Sequence, residues 1–426
     1  MSLKQEQALE NIYLMHTYGR SPVEFVGGEG MQLIGDDGRR YLDFLSGIGV
    51  CCLGHGGLPN RVVEDQAAKL MHVSNYFYIE HRGEVAALLS KLANDDLAGA
   101  KALVEAFDSG DEEAVVAAAQ PAEGEQVWQT FFSNSGAEAN EGSMKLARLY
   151  AKRAGNGGNT IVCLRGGFHG RTLETLAATM QDRLQNSFKP LPGGFVACTP
   201  NDVDELRSIF AAQGNEIAAV MLEPIQGESG VHPLTEEFVQ EAYELTHSVG
   251  GLLISDEVQA GIFRTGKPFA AQLFGVHPDI MSLAKGIAGG VPAGAFVAKQ
   301  EVAQVFAPGD HGSTFGGGCL AMAAAHAVLS ELVRGDFAEH AATVGAYMAE
   351  RLATVPHVVE VRGAGLMLGC DLDDACGDAH DVVARALEEG FVINATGAHT
   401  LRFLPPLICT ADDVDALVEG LTRVLK

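Results

Sequence analysis

The chain has 426 residues, 47% of them hydrophobic, 51 of them glycine, and a formal net charge of −26. That is too long for one comfortable core and too apolar for a disordered chain, so a two-domain α/β protein with many tight strand-to-helix turns is expected. The acidic balance weighs against nucleic-acid and anionic-membrane binding, and an anionic substrate would need locally placed arginines.

In chain order, residues 1–65 read as a helix followed by a small antiparallel unit. Its strands Phe25-Val26, Met31–Ile34 and Tyr41–Phe44 are separated by turns at Gly27-Gly28 and Asp36–Gly38. The first residues carry no apolar core of a signal segment, and no apolar run is long enough to span a bilayer. The eight cysteines form no C-x-x-C pair and read as reduced thiols, so a cytoplasmic protein is expected. His55, in a glycine-rich loop, reads as structural. From about Asn60 a helix leads into a larger domain, 66–305. Within it, residues 94–126 hold nine acidic residues and one lysine. They read as an acidic surface excursion with helical patches near Ala98–Phe107 and Glu112–Ala119.

Five apolar strands follow. Trp128–Phe132 runs into Ser135-Gly136-Ala137 and a helix through Lys152, and Thr160–Leu164 runs towards Phe168-His169-Gly170-Arg171. Ile217–Leu222 ends in Glu223-Pro-Ile-Gln-Gly-Glu228, Leu252–Ser255 in Asp256, and Ile280–Leu283 near Lys285. Each run stops in polar or glycine-rich residues. This is the pattern of a mostly parallel sheet with its ligand at the carboxyl ends of the strands. A smaller α/β unit, 306–426, completes the chain. It has helices at Cys319–Arg334, Phe337–Leu352 and Asp381–Glu389, and strands near Val358–Arg362, Leu366–Leu372 and Leu401–Phe403.

The strand ends carry the chemistry. Lys285 stands among small residues, where desolvation disfavours its charged form and makes the amine nucleophilic. Asp256 is an acid able to hold a pyridinium nitrogen charged, and the two together are the minimal kit for pyridoxal phosphate chemistry. Ser135-Gly136-Ala137 opens a helix and suits a phosphate, or Ser135 is simply an N-cap. Phe168-His169 offers an aromatic face to a planar ring. Arg171 and Arg402 are forks for carboxylates, or else members of structural ion pairs. His311-Gly-Ser313-Thr314 is a second hydroxyl-rich loop able to serve a phosphate. Gly261–Lys267 mimics a nucleotide-binding loop, but Pro268 stands where Ser or Thr is required. No metal site is read.

Phe132-Ser-Asn-Ser-Gly-Ala-Glu-Ala-Asn-Glu141, Phe168-His-Gly-Arg-Thr172 and Ser282-Leu-Ala-Lys-Gly286 together resemble the class-III, fold-type-I pyridoxal-phosphate aminotransferases. The likeness runs from Thr17 to Leu407 and is strongest to the acetylornithine-type branch. It implies a large domain with a mostly parallel central sheet flanked by helices, and a smaller α/β domain built from both termini. By resemblance, Lys285 is the Schiff-base lysine and proton carrier, Asp256 the pyridinium partner, and Gln259 a contact to the ring oxygen. Phe168 stacks on the ring beside His169, and Ser135, Gly136, Ala137 and Thr314 serve the phosphate. The threonine comes from the other subunit of an obligate homodimer. Arg171 and Ser313 resemble acetylornithine contacts. Arg402 resembles the grip on the α-carboxylate of 2-oxoglutarate or glutamate, and Glu228 pairs with it when an ω-amine is bound.

The implied reaction moves the δ-amino group of N2-acetylornithine to 2-oxoglutarate, as in arginine biosynthesis. Succinyl-ornithine, succinyl-diaminopimelate, ornithine and 4-aminobutyrate are alternative donors, and a catalytically silent regulatory protein is the alternative from another class. Gly56-Gly-Leu-Pro, Ala260 and Gly318-Cys319 depart from the family's usual residues, the last beside the Thr314 loop. Ile48 stands where ornithine-specific members carry a substrate-binding tyrosine, which suits an acylated donor.

Overall fold

The computed structural model describes residues 2–426. Helix α1 (Leu3–Tyr13) precedes strands β1 (Phe25–Glu29), β2 (Gln32–Gly35) and β3 (Arg40–Asp43). Helices α2 (Gly57–Lys69), α3 (Arg82–Ala93), α4 (Leu97–Ser109) and α5 (Glu112–Ala119) lead to β4 (Trp128–Ser133), α6 (Gly136–Arg153), β5 (Thr160–Leu164) and β6 (Phe195–Cys198). Then come α7 (Val203–Gln213), β7 (Ile217–Leu222), α8 (Glu236–Ser248), β8 (Leu252–Asp256), β9 (Ile280–Leu283) and β10 (Gly294–Lys299). The last part holds α9 (Cys319–Arg334), α10 (Phe337–Leu352), β11 (Val358–Ala364), β12 (Met367–Leu372) and α11 (Ala379–Glu389). Short strands β13 (Phe391–Val392) and β14 (Asn394–Ala395), β15 (Thr400–Phe403) and α12 (Ala411–Val424) close the chain.

The central sheet has seven strands in the order β4-β10-β9-β8-β7-β5-β6. Only β10 runs against its neighbours; β6, β5, β7, β8 and β9 are mutually parallel. Both faces are covered. Ile161, Cys163, Ala219, Met221 and Ile254 pack against Met144, Leu146 and Ala147 of α6. The alternate residues Val162, Leu164, Val220, Leu222 and Leu253 pack against α7 and α8 through Leu206, Phe210, Phe238 and Val239. A strand buried on both faces needs apolar side chains at every position, which is why these segments read as unbroken apolar runs. Helix α6 lies close to the sheet because Gly142 has no side chain. A Cβ there would come 2.2 Å from Phe296 of β10.

Strands β1 to β3 join β13 in a four-stranded sheet, with β13 parallel to β3, and β11-β12-β15-β14 form a second. The chain's two ends therefore share one sheet. The expected turn at Gly27-Gly28 is instead part of β1, and the chain reverses at Gly30-Met31. Packing accounts for this: His55 crosses β1 so closely that a Cβ on Gly28 would lie 2.6 Å from its own.

The acidic excursion needs correction too. Its helices fall where expected, but α4 buries Ala100, Leu103 and Val104 in the main hydrophobic cluster with α3 and α9. Its return limb is pinned by Lys91, whose ammonium donates to both carboxylate oxygens of Glu125 at 2.9 and 2.8 Å. Only the outward charges are solvated. All eight cysteines are free. Among the described residues, no helix is long and apolar enough to cross a membrane.

Candidate active site

The carboxyl ends of β5, β7, β8 and β9 meet the start of α6 around a cavity of about 500 Å³. Ser135, Gly136, Ala137, Phe168, His169, Arg171, Asp256, Gln259 and Lys285 all line it. Residues spread over about a third of the chain thus converge because parallel strands deliver their ends to one edge of the sheet.

Asp256, the last residue of β8, is 4% exposed. Asn140 Nδ2 donates to its Oδ2 at 2.8 Å, His169 Nδ1 lies 2.8 Å from the same oxygen, and the Val258 N–H donates to Oδ1 at 3.0 Å. Burial works to lower the His169 pKa, but the bond and charge of Asp256, helped by Glu223, outweigh it and hold the ring above its ordinary value. Three donors thus converge on one buried carboxylate and fix its orientation. Two buried atoms nearby, His169 Nε2 and Asn140 Oδ1, have no hydrogen-bond partner.

Lys285 begins a single turn after β9 with φ +45°, a left-handed conformation costly for a side chain other than glycine. Burial lowers its pKa below the lysine range, against the opposing pull of Glu228 and Asp256. An amine so placed is a free base at lower pH than an exposed lysine.

At the mouth of α6, Ser135 caps the helix by accepting the Glu138 N–H at 3.2 Å. The Gly136 and Ala137 N–H groups precede the first intrahelical bonds and face an anion-binding position. Gly136 must be glycine because a Cβ would sit 2.8 Å from Val258, the residue that also donates to Asp256. The exposed guanidinium of Arg171 lies 5.5 Å from the centre of the half-buried Phe168 ring.

Arg402, on β15, is 1% exposed. Its Nη1 donates to Glu228 Oε1 at 2.5 Å, to Gln259 Oε1 at 3.1 Å and to the Gly227 carbonyl at 3.3 Å, while Nε donates to Asn394 at 3.0 Å. Gln259 Nε2 also donates to Glu228 at 3.2 Å. Burial pushes the Glu228 pKa up, but Arg402, with Lys285, holds it below the carboxylate range. Gln259 therefore joins the ring-sized cavity to the buried ion pair.

Two expected residues lie elsewhere. Thr314 and Ser313 line a separate surface groove with His72, Asn75, Tyr76 and Arg82. Asn134 connects the two places: it lines the first cavity and donates to Ser313 Oγ at 3.2 Å. Three residues of the site were missed from sequence. Asn140 and Asn134 lie inside the Phe132–Glu141 motif, and Asn140 is four residues after Gly136, on the same helix face. Glu223 ends β7 as Asp256 ends β8, so the strand-end signal was there to read. Burial raises the Glu223 carboxyl to about 7, with His169 opposing and Asp256 adding to the shift. It accepts the Phe168 N–H at 2.8 Å and so holds the backbone from which that ring projects.

An anion cradle, an aromatic wall, a buried charged acid and a depressed amine around one cavity suit a flat heterocycle with an anionic tail. The buried arginine beyond it suits a carboxylate.

The chain resembles proteins with such sites along its whole length. It is 42% identical to acetylornithine aminotransferase 1 of Bordetella bronchiseptica over 97% of both chains. Its structure superposes on ornithine aminotransferase of Toxoplasma gondii, described with partial occupancy of PLP at its active site, with TM-score 0.85 and 28% identity. That match covers 100% of this chain and 94% of the other. Acetylornithine aminotransferase of Elizabethkingia anophelis gives TM-score 0.81 and 27% identity, covering 100% and 99%. The model of the aminotransferase class-III family matches residues 14–425, both the strand ends that build the cavity and β15 that brings Arg402 to it; the chain belongs to that family.

Proposed function

We propose that the protein transfers the δ-amino group of N2-acetylornithine to 2-oxoglutarate, giving N-acetylglutamate 5-semialdehyde and glutamate, with pyridoxal 5′-phosphate as cofactor. The observation that carries this is the Glu228–Arg402–Gln259 cluster set against the cavity that holds Lys285 and Asp256. The 42% identity to acetylornithine aminotransferase 1 over 97% of both chains supports the acylated donor.

The donor set suits the cofactor. Asp256 is a buried, triply bonded carboxylate able to keep a pyridine nitrogen protonated, and the α6 N–H groups with Ser135 suit its phosphate. When bound, pyridoxal phosphate serves as the electron sink for the carbon from which a proton is removed. Phe168, whose backbone Glu223 holds, would offer its aromatic face to the ring, and His169 orients Asp256. Lys285, its ammonium form disfavoured by burial, would accept the proton from the substrate carbon bearing the amine. Arg171 binds the acylated end of the donor, and Ser313 joins it where a second subunit brings its loop to the cavity.

Glu228 divides the two half-reactions. With the ω-amine bound it neutralises Arg402. When glutamate or 2-oxoglutarate arrives, the α-carboxylate takes Arg402 and Glu228 gives way. A buried arginine left with neither partner would be strongly unfavourable, so one of the two anions is always present.

Thr314 lies outside the cavity of its own chain, and we read the protein as a homodimer with shared sites in which a second subunit brings that loop to the phosphate. Tyr76, 93% exposed, lines the Thr314 groove, and the exposed Phe315 ring packs on His72 of its lining, which supports this reading. The division into a terminal segment 1–65, a large domain 66–305 and a small domain 306–426 belongs to the same proposal, with the β3–β13 pairing in its favour. A cytoplasmic location accords with eight free thiols.

The test is steady-state transamination with 2-oxoglutarate and each ω-amine in turn. The reading predicts kcat/KM for N2-acetylornithine at least tenfold above ornithine, succinyl-ornithine and 4-aminobutyrate, one pocket methylene being worth ~1–3 kcal/mol. A higher value with any of the others would reassign the donor.

A further inference from the structure

Helices α3 and α9 bring together three side chains that transamination does not use. His81 immediately precedes α3 with φ +67°, Glu84 lies in its first turn, and His326 stands midway along α9. His81 Nδ1 is 2.7 Å from Glu84 Oε2, and His326 Nε2 is 3.5 Å from the same oxygen. The three donor atoms all lie within 4.8 Å of one another. His326 Nε2 is a buried atom with no hydrogen bond, its approach to Glu84 being too poor in geometry to count as one. The two rings stack with centroids 4.4 Å apart. The side chains keep 20–32% of their surface exposed, so solutes reach them.

A four-coordinate ion with bonds of about 2.0–2.2 Å spaces its ligands about 3.3–3.6 Å apart. The observed 3.5 Å lies within that range, the 2.7 Å just below it, and all three atoms are within 4.8 Å of one another, so the trio needs only a slight spreading to meet it. Two imidazoles and one carboxylate are the ligands of zinc and its neighbours; calcium and magnesium take oxygen donors. A second trio, His357, Asp373 and Cys376, is different in that both His357 and Cys376 are already directed at Asp373, at 3.0 and 3.9 Å.

We propose that His81, Glu84 and His326 form a binding site for a divalent transition-metal ion of the zinc type, with water in the remaining position. The ion ties the start of α3 to the middle of α9. Arg82, next to His81, donates to the Gly317 carbonyl at 3.1 Å, so the clamp also steadies the loop before α9.

The test uses chelator-treated, cofactor-loaded protein and Zn²⁺ alone, in competition with a chromophoric chelator. One ion per chain is expected. His81→Gln and His326→Gln should each weaken it at least ~10-fold, with unchanged circular dichroism and transaminase turnover in the absence of metal. Co²⁺ should give the visible spectrum of a four- or five-coordinate N/O site, lost in His326→Gln. The proposal is overturned if the wild-type chain takes up no Zn²⁺, if both variants bind within twofold of it, or if binding is lost in His357→Gln instead.

Discussion

In the proposed reaction Glu228 would set the balance between the two substrates, because among the described residues it is the only side-chain anion bonded to buried Arg402. Glu228→Ala should slow the half-reaction with N2-acetylornithine by ~10–100-fold and leave that with glutamate unchanged or faster, the cost being that of leaving a buried charge unpaired. Equal losses with both substrates in single-turnover kinetics would remove Glu228 from this role. Asp256→Asn keeps the shape of the site but deletes the charge that His169 and Asn140 are arranged around. It should lower kcat/KM by ~10²–10³-fold, the usual scale for one preorganised electrostatic contact, and weaken cofactor retention on dialysis. Lys285 and Asp256 were legible in the sequence because a charged residue at the end of an apolar strand is conspicuous. Glu223 carries the same strand-end signal and was passed over, whereas Asn140 was not legible because its importance comes from the strand end it faces. Ser313 and Thr314 were legible only as a loop, since one chain leaves them outside the cavity.

At the scale of elements, His55 ties the loop before α2 to β3 through buried Asp43, 2.8 Å away. The hydrogen bond to Asp43, then that to Cys51, raises the His55 pKa to about 9 from 6.5 against the opposing effect of burial. The folded-state value lies above the unfolded one, so this contribution is complete below pH 6.5 and is lost as pH rises to about 9. It amounts to ~2–3 kcal/mol, allowing for partial solvent contact. Denaturant titrations should show that loss between pH 6 and 9.5, and His55→Gln should flatten it; an unchanged pH dependence in the variant would contradict the assignment. The same loop shows why some elements were read well and others missed. Five strands announced themselves as apolar runs, whereas β6 is a half-buried edge strand and β10 is a run of small residues after Pro292. Helix α12 went unread although Val414, Leu417, Val418 and Leu421 mark one buried face. The two-residue strands β13 and β14 exist only through pairing with β3 and β15, which no local signal reveals.

For the molecule as a whole, the exposed aromatic surface at the Thr314 groove, where Tyr76 is 93% exposed and Tyr78, two residues on, is fully exposed, is the face that the proposed homodimer would cover. Tyr78→Asp should shift sedimentation from dimer to monomer and reduce activity with it, since each cavity would lose the partner's threonine; a fully active monomer would show that the site is complete within one chain. The central claim joins Lys285, the Asp256 cavity and an acylated ω-amine in one reaction, and absorbance tests it most directly. Purified protein loaded with pyridoxal phosphate should lose its visible band when N2-acetylornithine is added without any oxo acid, and 2-oxoglutarate should restore it. Lys285→Ala should do neither. If glutamate bleaches the band and N2-acetylornithine leaves it unchanged, the donor assignment is contradicted; if neither amine changes it, the transamination chemistry assigned to this cavity is contradicted as well.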